Sequence, residues 1–356
     1  MNGVTRTAFV TGSTGLLGTN LVRLLSREGF AVRALARSRA KATRQLGDVP
    51  NVEIVQGDMT DVAGFAERLP GCDAIFHTAA YFRESYRGGS HDEGLHRVNV
   101  VGTSDLLRAT YAAGVRRLVH TSSVAVLRGE RGQIVDETMS RRVEDADDYY
   151  RSKILSEREV ASFLDDHPDF WACMVLPGWM HGPYDLGPTS AGQTVIDFVQ
   201  RRLPGIVPGS FAVVDARDVA RAMLLALDRG RRGERYLAAG QHMTIADLFS
   251  LLQRLTGVPA PKRRVPAGVL YAIAGVNELV ARATGRPALL SWASVRSLTT
   301  EADRSRYDAS KSERELGLSF RPLQQTIGDE IAWFRSEGIL PAVAGSPLTH
   351  SDAGVS

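Results

Sequence analysis

Eight residues near the N-terminus constrain this chain's fold more than any others. Thr11-Gly12-Ser13-Thr14-Gly15-Leu16-Leu17-Gly18 stands between a β-rich run, Thr7–Thr11, and an amphipathic pattern of Leu16, Leu17, Leu21, Leu24 and Leu25 that stops at Gly29. Glycines at these three positions permit a tight turn, close backbone approach to a ligand and close packing of helix on strand. A helix that opens there turns its unpaired N–H groups outward, toward an anion such as a pyrophosphate. The spacing alone is weak, because a chain with 34 glycines produces it by accident. Its position at the first strand-to-helix turn gives it force.

The rhythm set by that turn continues. Short β-rich runs follow at Ala31–Leu35, Val52–Gln56, Ala74–His77, Arg117–Thr121 and Ala172–Leu176, separated by helical patterns such as Ser104–Ala113 with Gly114 behind it. Each run has the length of a buried strand, and the alternation predicts a parallel sheet with helices on both faces. The expected class is α/β: a Rossmann-type doubly wound parallel sheet with a smaller, mostly helical C-terminal substrate domain. We expect residues 1–176 to form the dinucleotide-binding part, rejoined by about 212–240, and residues 177–211 and 241–335 to form the substrate part. Residues 177–211 hold five prolines and read as loops around one helix, Thr194–Arg202. Asp215 opens a further helix, Arg235–Ala238 reads as a strand, and Thr244 reads as the N-cap of a helix over Ile245–Thr256. The tail, 344–356, is small and polar and reads as disordered.

Composition narrows the function class. The 356 residues are 44% hydrophobic and 23% charged, ordinary globular values that exclude a disordered, collagen-like or coiled-coil chain. Lys plus Arg is 43 and Asp plus Glu 40, so the net charge is +3 and points to neither nucleic acid nor membrane as partner. Cys72 and Cys173 are the only cysteines, too few for a disulfide framework or a zinc site, and no metal is expected. No secretory h-region precedes the first strand, and the longest apolar stretch, Val265 to Ala283, is interrupted by Asn277, Glu278 and Arg282. These features read as a cytoplasmic protein acting on a small molecule.

Three further segments carry chemistry. The second strand ends Ala34-Leu35-Ala36-Arg37-Ser38-Arg39, without the carboxylate that would hydrogen-bond a ribose 2′-hydroxyl. Arg37, assisted by Arg33 or Arg39, suits a 2′-phosphate, which favours NADP(H), with NAD(H) the alternative. Asp147-Asp148-Tyr149-Tyr150-Arg151-Ser152-Lys153 places Tyr149 and Lys153 at i, i+4, on one helix face. An ammonium ~4 Å from a phenol, at an effective dielectric of ~20, favours the phenolate by up to about 4 kcal/mol before desolvation. That brings a group of pKa near 10 toward the range useful for proton transfer. The chain writes nearly all its cations as Arg and has only four lysines, so Lys153 is an unusual choice. Tyr150, at i, i+3 to Lys153, stays open as the alternative phenol. His120-Thr121-Ser122-Ser123 brings three hydroxyls to the end of the fifth strand, where ligands meet a doubly wound sheet.

Together these segments resemble the extended branch of the short-chain dehydrogenase/reductase superfamily, the NAD-dependent epimerase/dehydratase family, over roughly residues 5–335. The pattern is most like the dihydroflavonol-reductase-like and 3β-hydroxysteroid-dehydrogenase-like members. The resemblance implies that Ser123, the second residue of its Ser-Ser pair, is catalytic with Tyr149 and Lys153. It implies cofactor contacts from Gly12, Ser13, Thr14, Gly15, Leu16, Leu17 and Gly18, from Arg37, Asp58 and Met59, and from Thr78, Ala79 and Ala80. Asn99, Tyr149, Lys153, Pro177 and Gly178 complete that set. It also implies a homodimer through helices around Ser104–Ala113 and Ser152–Leu164.

The family's parts serve several reactions. A dehydratase of this branch carries an Asp-Glu pair after the catalytic hydroxyl; here Val124-Ala125 stands there, which argues against elimination chemistry. Arg37 argues against a tight-NAD nucleotide-sugar epimerase, which is the alternative reading; a non-catalytic NADP-binding sensor or scaffold is the second. The expected function is an NADP-dependent oxidoreductase interconverting a ketone or aldehyde and an alcohol on a lipophilic small molecule. Tyr81 to His96 reads as a flap over the site, and Trp179 and Tyr184 either stack on a ligand ring or pack their own loop.

Overall fold

The computed structural model describes residues 5–82, 91–284, 292, 295 and 304–342. The predicted strands form as β1 (Thr7–Thr11), β2 (Ala31–Ala36), β3 (Val52–Gln56), β4 (Ala74–His77), β5 (Arg117–Thr121) and β6 (Trp171–Pro177). With β9 (Arg235–Ala238) they make one seven-stranded sheet in the order β3-β2-β1-β4-β5-β6-β9. Every pairing in it is parallel. Both faces are covered, so the strands read as nearly unbroken apolar runs. In β1, Ala8 and Val10 pack into one core with Leu17 and Leu21 of α1 (Leu16–Arg27) and Met223 of α7 (Ala216–Arg229). Phe9, between them, enters the opposite core with Leu106 of α4 (Gly102–Ala112) and Val160 of α5 (Asp148–Asp166).

The helices form where the sequence starts and stops them. Asp147 caps α5 by accepting from the Tyr150 N–H at 2.8 Å. Thr244 and Asp247 form a reciprocal capping box on α8 (Ile245–Thr256), which ends at Gly257 in the left-handed conformation. The helix before β5 is longer than the sequence suggests: α3 (Asp92–Leu95) runs into a π-helical turn, His96–Val101, and then into α4. The C-terminal end of the expected flap is therefore helical, while 83–90 lie outside the described residues, as does the tail 344–356.

Residues 177–211 depart most from expectation. They contribute β7 (Trp179–His181) and the start of β8 (Ser210–Asp215), which with β10 (Gln241–Thr244) build a second sheet in the order β10-β8-β7. The helix there, α6, spans Ser190–Val199 instead of Thr194–Arg202, because Thr189 supplies its cap. β7 and β10, of three and four residues, carry too short an alternation to be legible, and their partner β8 is remote from both in sequence. α6, α8 and the helix Leu323–Ser336 pack on this sheet around Ile196, Leu248, Leu252, Ile327 and Phe334.

Candidate active site

The strand order turns back between β1 and β4, and their C-terminal ends open the crevice where ligands bind in such sheets. Gly12 lies there with φ +65°, and a Cβ on it would meet the Ala79 nitrogen at 2.7 Å, so the first turn fits only a glycine. Gly18 is equally required, because a Cβ would collide with the Gly12 carbonyl oxygen. Gly15 differs. Its φ is ordinary, and the nearest atom to a Cβ there is the Gly12 oxygen at 3.4 Å. The protein's own packing thus explains Gly12 and Gly18, and leaves an open face over Gly15. α1 starts at that point with no side-chain cap and no acidic residue in its first turn, so its N-terminal N–H groups and dipole face the opening. A pyrophosphate fits this donor set. Ser13 is buried and donates its hydroxyl to the Leu35 carbonyl at 2.8 Å, tying the loop to the end of β2. Leu16 and Leu17 are buried beneath it.

At the end of β2, Arg37 and Arg39 are exposed. Arg33 is engaged elsewhere, donating to the Arg68 and Pro70 carbonyls at 2.7 Å each. The sequence reading missed Lys41, on the first turn of α2 (Arg39–Leu46). Burial and then Arg37 lower its pKa, while Asp185 raises it. Its signal was available: it is one of four lysines and stands at i+4 from Arg37. Asp58, after β3, accepts from the Thr60 N–H and hydroxyl at 2.9 and 3.0 Å, and Met59 is buried beside it. Thr78 donates to the Thr11 carbonyl at 2.6 Å, and the Thr78 and Ala79 N–H groups donate to the Thr11 hydroxyl. The segment Thr78-Ala79-Ala80 is thereby moored on the phosphate loop.

The hydroxyls at the end of β5 separate cleanly. Thr121 points to the Met223 sulfur, 3.5 Å away, and Ser122 is buried against Glu157. Ser123 is half-buried at the start of a one-turn 3-10 helix and accepts from the Ala125 N–H at 3.2 Å. The two tyrosines separate as well. Tyr150 lies under the buried Arg141 guanidinium, 4.7 Å from its ring centre, and Arg141 is fixed by the Ala125 carbonyl at 2.8 Å. Tyr149 packs edge-on to Phe82, with ring centres 4.5 Å apart. Lys153 is buried to 4% exposure and donates to the Thr121 carbonyl at 3.0 Å, which brings its ammonium to the C-terminal end of β5. Burial lowers its pKa to about 8, with Glu157 opposing the shift.

Asn99 has its amide fully engaged. Its oxygen accepts from the Tyr81 N–H at 2.7 Å, and its nitrogen donates to the Tyr81 carbonyl and the Ser152 hydroxyl, each at 3.0 Å. It holds the segment after β4 against α5. Pro177 ends β6, and Gly178 is a glycine because the Ala212 and Ala239 carbonyls close on it. Trp179 packs on Phe211 of β8 and donates to Ser190, and Tyr184 lies under Arg23 of α1, so both rings join separate elements. Among the described residues no group of His, Cys, Asp and Glu could hold a metal ion.

Beneath the site runs a buried polar chain that the sequence reading did not find. The Thr11 hydroxyl meets His77 Nδ1 at 2.8 Å, and His77 Nε2 meets Thr103 at 3.0 Å. Thr103 meets Ser156 at 3.2 Å, and Ser156 meets His120 Nε2 at 3.1 Å. Burial, with the nearby Lys153 charge, lowers His77 to about 3 and lowers His120 as well. Both imidazoles are therefore neutral near pH 7, so the chain joins the phosphate loop to α5 without adding charge.

A profile of the NAD dependent epimerase/dehydratase family matches residues 8–239. The chain belongs to this family. It is thus an extended short-chain dehydrogenase/reductase and an NAD(P)-dependent oxidoreductase. The enzyme is 38% identical over 337 residues to "Sterol demethylase protein B" of Methylococcus capsulatus, covering 94% of this chain and 100% of the relative. It is 32% identical over 282 residues to the "4-hydroxy-2-methyl-3-oxo-4-farnesyl-3,4-dihydroquinoline-1-oxide ketoreductase" of Stigmatella aurantiaca, covering 77% and 80%. The crystal structure titled gox2253 superposes with a TM-score of 0.77 at 31% identity, over 94% of this chain and 99% of that one.

Proposed function

We propose that the enzyme is an NADP-dependent oxidoreductase that interconverts a ketone or aldehyde and an alcohol on a lipophilic small molecule. The observation that carries this reading is the buried Lys153, held at the end of β5 one helical turn from Tyr149, with Ser123 a half-buried hydroxyl two residues beyond that strand. In this reading Lys153 favours the Tyr149 phenolate, Tyr149 moves the proton at the substrate oxygen, and Ser123 donates a hydrogen bond to that oxygen. The nicotinamide, when bound, supplies or takes the hydride. The open face over Gly15 and the N-terminus of α1 would hold the pyrophosphate, with Gly12, Ser13, Thr14, Leu16, Leu17 and Gly18 shaping the loop. Arg37 and Lys41 would take the 2′-phosphate, Asp58 and Met59 would flank the adenine, and Thr78, Ala79, Ala80, Pro177 and Gly178 would line the remainder. We assign residues 1–176 with about 212–240 to the cofactor part. α4 and α5 are the faces we expect to pair in a homodimer.

The lipophilic substrate class is supported by the names of the relatives, a farnesylated ketone reductase and a sterol-processing protein. The test is steady-state oxidation of NADPH by the purified enzyme with a panel of apolar ketones and aldehydes. Turnover that vanishes in Tyr149→Phe is the expected result. NAD that co-purifies and does not exchange, with no turnover of any added carbonyl, would point to epimerase chemistry instead.

A further inference from the structure

Six large apolar side chains stand exposed among the described residues, and five belong to one segment. Val269, Val276, Leu279 and Val280 lie on α9 (Ala267–Thr284), with Trp292 packed beside it on Tyr271; they are 48–65% exposed. At 100° per residue, positions 269, 272, 273, 276, 279, 280 and 283 share one face, and they are Val, Ala, Ile, Val, Leu, Val and Ala. The helix buries a different stripe, Leu270, Ala274 and Ala281. It is apolar on two sides, and packing within the described residues explains only one.

Cations gather where this helix begins. Lys262, Arg263 and Arg264 are exposed and lie within a few residues of its start. Arg201, Lys262 and Arg263 line a cleft of about 420 Å³ with Phe198, Leu203 and prolines. Arg202, alongside, pairs with Asp197, whereas Arg201, Lys262, Arg263 and Arg264 have no carboxylate partner among the described residues. A second copy docking here would bring the same unpaired cations into a self-complementary interface. A partner helix would call for a narrow seam edged by charges, but the positions flanking this face are Gly268, Gly275, Asn277 and Thr284. A broad apolar face and adjoining cations match a helix lying in a lipid interface.

We propose that this face of α9 docks on an anionic lipid surface. Arg201, Lys262, Arg263 and Arg264 meet the phosphate headgroups, and Val269, Val276, Leu279 and Val280 enter the acyl boundary. The net charge of +3 conceals this, because it averages a local cluster over the whole chain. No helix among the described residues is long and apolar enough to cross a membrane, so the contact is peripheral.

The test is co-sedimentation of the full chain with phosphatidylcholine vesicles, with and without phosphatidylglycerol. Expected is binding that requires the anionic lipid and weakens as salt rises. The double variant Val276→Glu/Leu279→Glu should lower partitioning at least about tenfold, and Lys262→Glu/Arg263→Glu about fivefold per cation removed. Both pairs are exposed, so circular dichroism and thermal midpoints should match the unaltered enzyme. The proposal is overturned if the unaltered enzyme ignores anionic vesicles at low salt, or if Val276→Glu/Leu279→Glu binds them equally well. It is also overturned if light scattering shows a dimer that this variant splits, with no vesicle binding. Lipid binding is the readout, so failure here leaves the oxidoreductase reading untouched.

Discussion

Tyr149 and Tyr150 are neighbours of the same type in different surroundings. Arg141 occupies the ring of Tyr150, so the phenol to test is Tyr149. Tyr149→Phe should reduce kcat by at least about a hundredfold, the usual weight of a general acid or base, while NADPH affinity by fluorescence titration changes little. Retention of most activity would falsify its assignment. Arg37→Glu and Lys41→Glu should each raise the KM for NADPH far more than that for NADH; equal effects on both would remove the 2′-phosphate reading. Lys153 makes a separate prediction. Its pKa in the folded enzyme is about 8, below the ordinary 10.5, so the unfolded chain binds the extra proton between those values. Stability should therefore rise with pH across that window, by up to about 3 kcal/mol from this group. Urea unfolding of Lys153→Met should lack that share of the rise.

The loop from Gly12 to Gly18 mixes glycines that its own packing requires with one, Gly15, that has open space over it. Gly18→Ala must displace the Gly12 carbonyl, so a loss of thermal stability should accompany any loss of cofactor binding. Gly15→Ala meets only one atom at 3.4 Å and should leave the fold nearly unchanged while weakening the dinucleotide. Calorimetry for stability and fluorescence titration for binding separate the two; if Gly15→Ala binds normally, the pyrophosphate does not sit over that face. The β5–α5 pairing is similarly divided. Lys153 and Ser156 extend from α5 to the strand's end and to His120, while Asn99 joins the π-helical turn to Ser152. This helix, α5, is therefore registered against the sheet by buried hydrogen bonds as well as by packing.

At the scale of the whole molecule, the neutral histidines set the acid limit. His77 is lowered from 6.5 to about 3, so below pH 6.5 the unfolded chain takes up a proton that the folded enzyme refuses, and stability falls. Between pH 7 and pH 5 the loss from His77 alone is about 2 kcal/mol, and His120 adds to it in the same direction. Glu157 runs the other way, since burial raises its pKa and its contribution weakens as pH climbs past 4.5. Urea midpoints at the two pH values, compared with those of His77→Gln, check the sign; an unchanged slope in the variant would exclude His77 as the cause.

By itself the sequence determined what local chemistry determines. The parallel sheet was legible because each buried strand writes an apolar run, and the first turn because Gly12 and Gly18 stand where only glycine fits. The Tyr149–Lys153 pair was legible because helix spacing alone puts both on one face. The tertiary structure alone decided which of two tyrosines Arg141 would claim, that Ser122 and Thr121 turn inward and leave Ser123, and that Arg33 is engaged by the Arg68 and Pro70 carbonyls. It alone joined β7, β8 and β10, and it linked His77 to His120 through Thr103 and Ser156. These outcomes depend on contacts between residues tens of positions apart, and side-chain direction across such distances is set by packing, which no local pattern encodes.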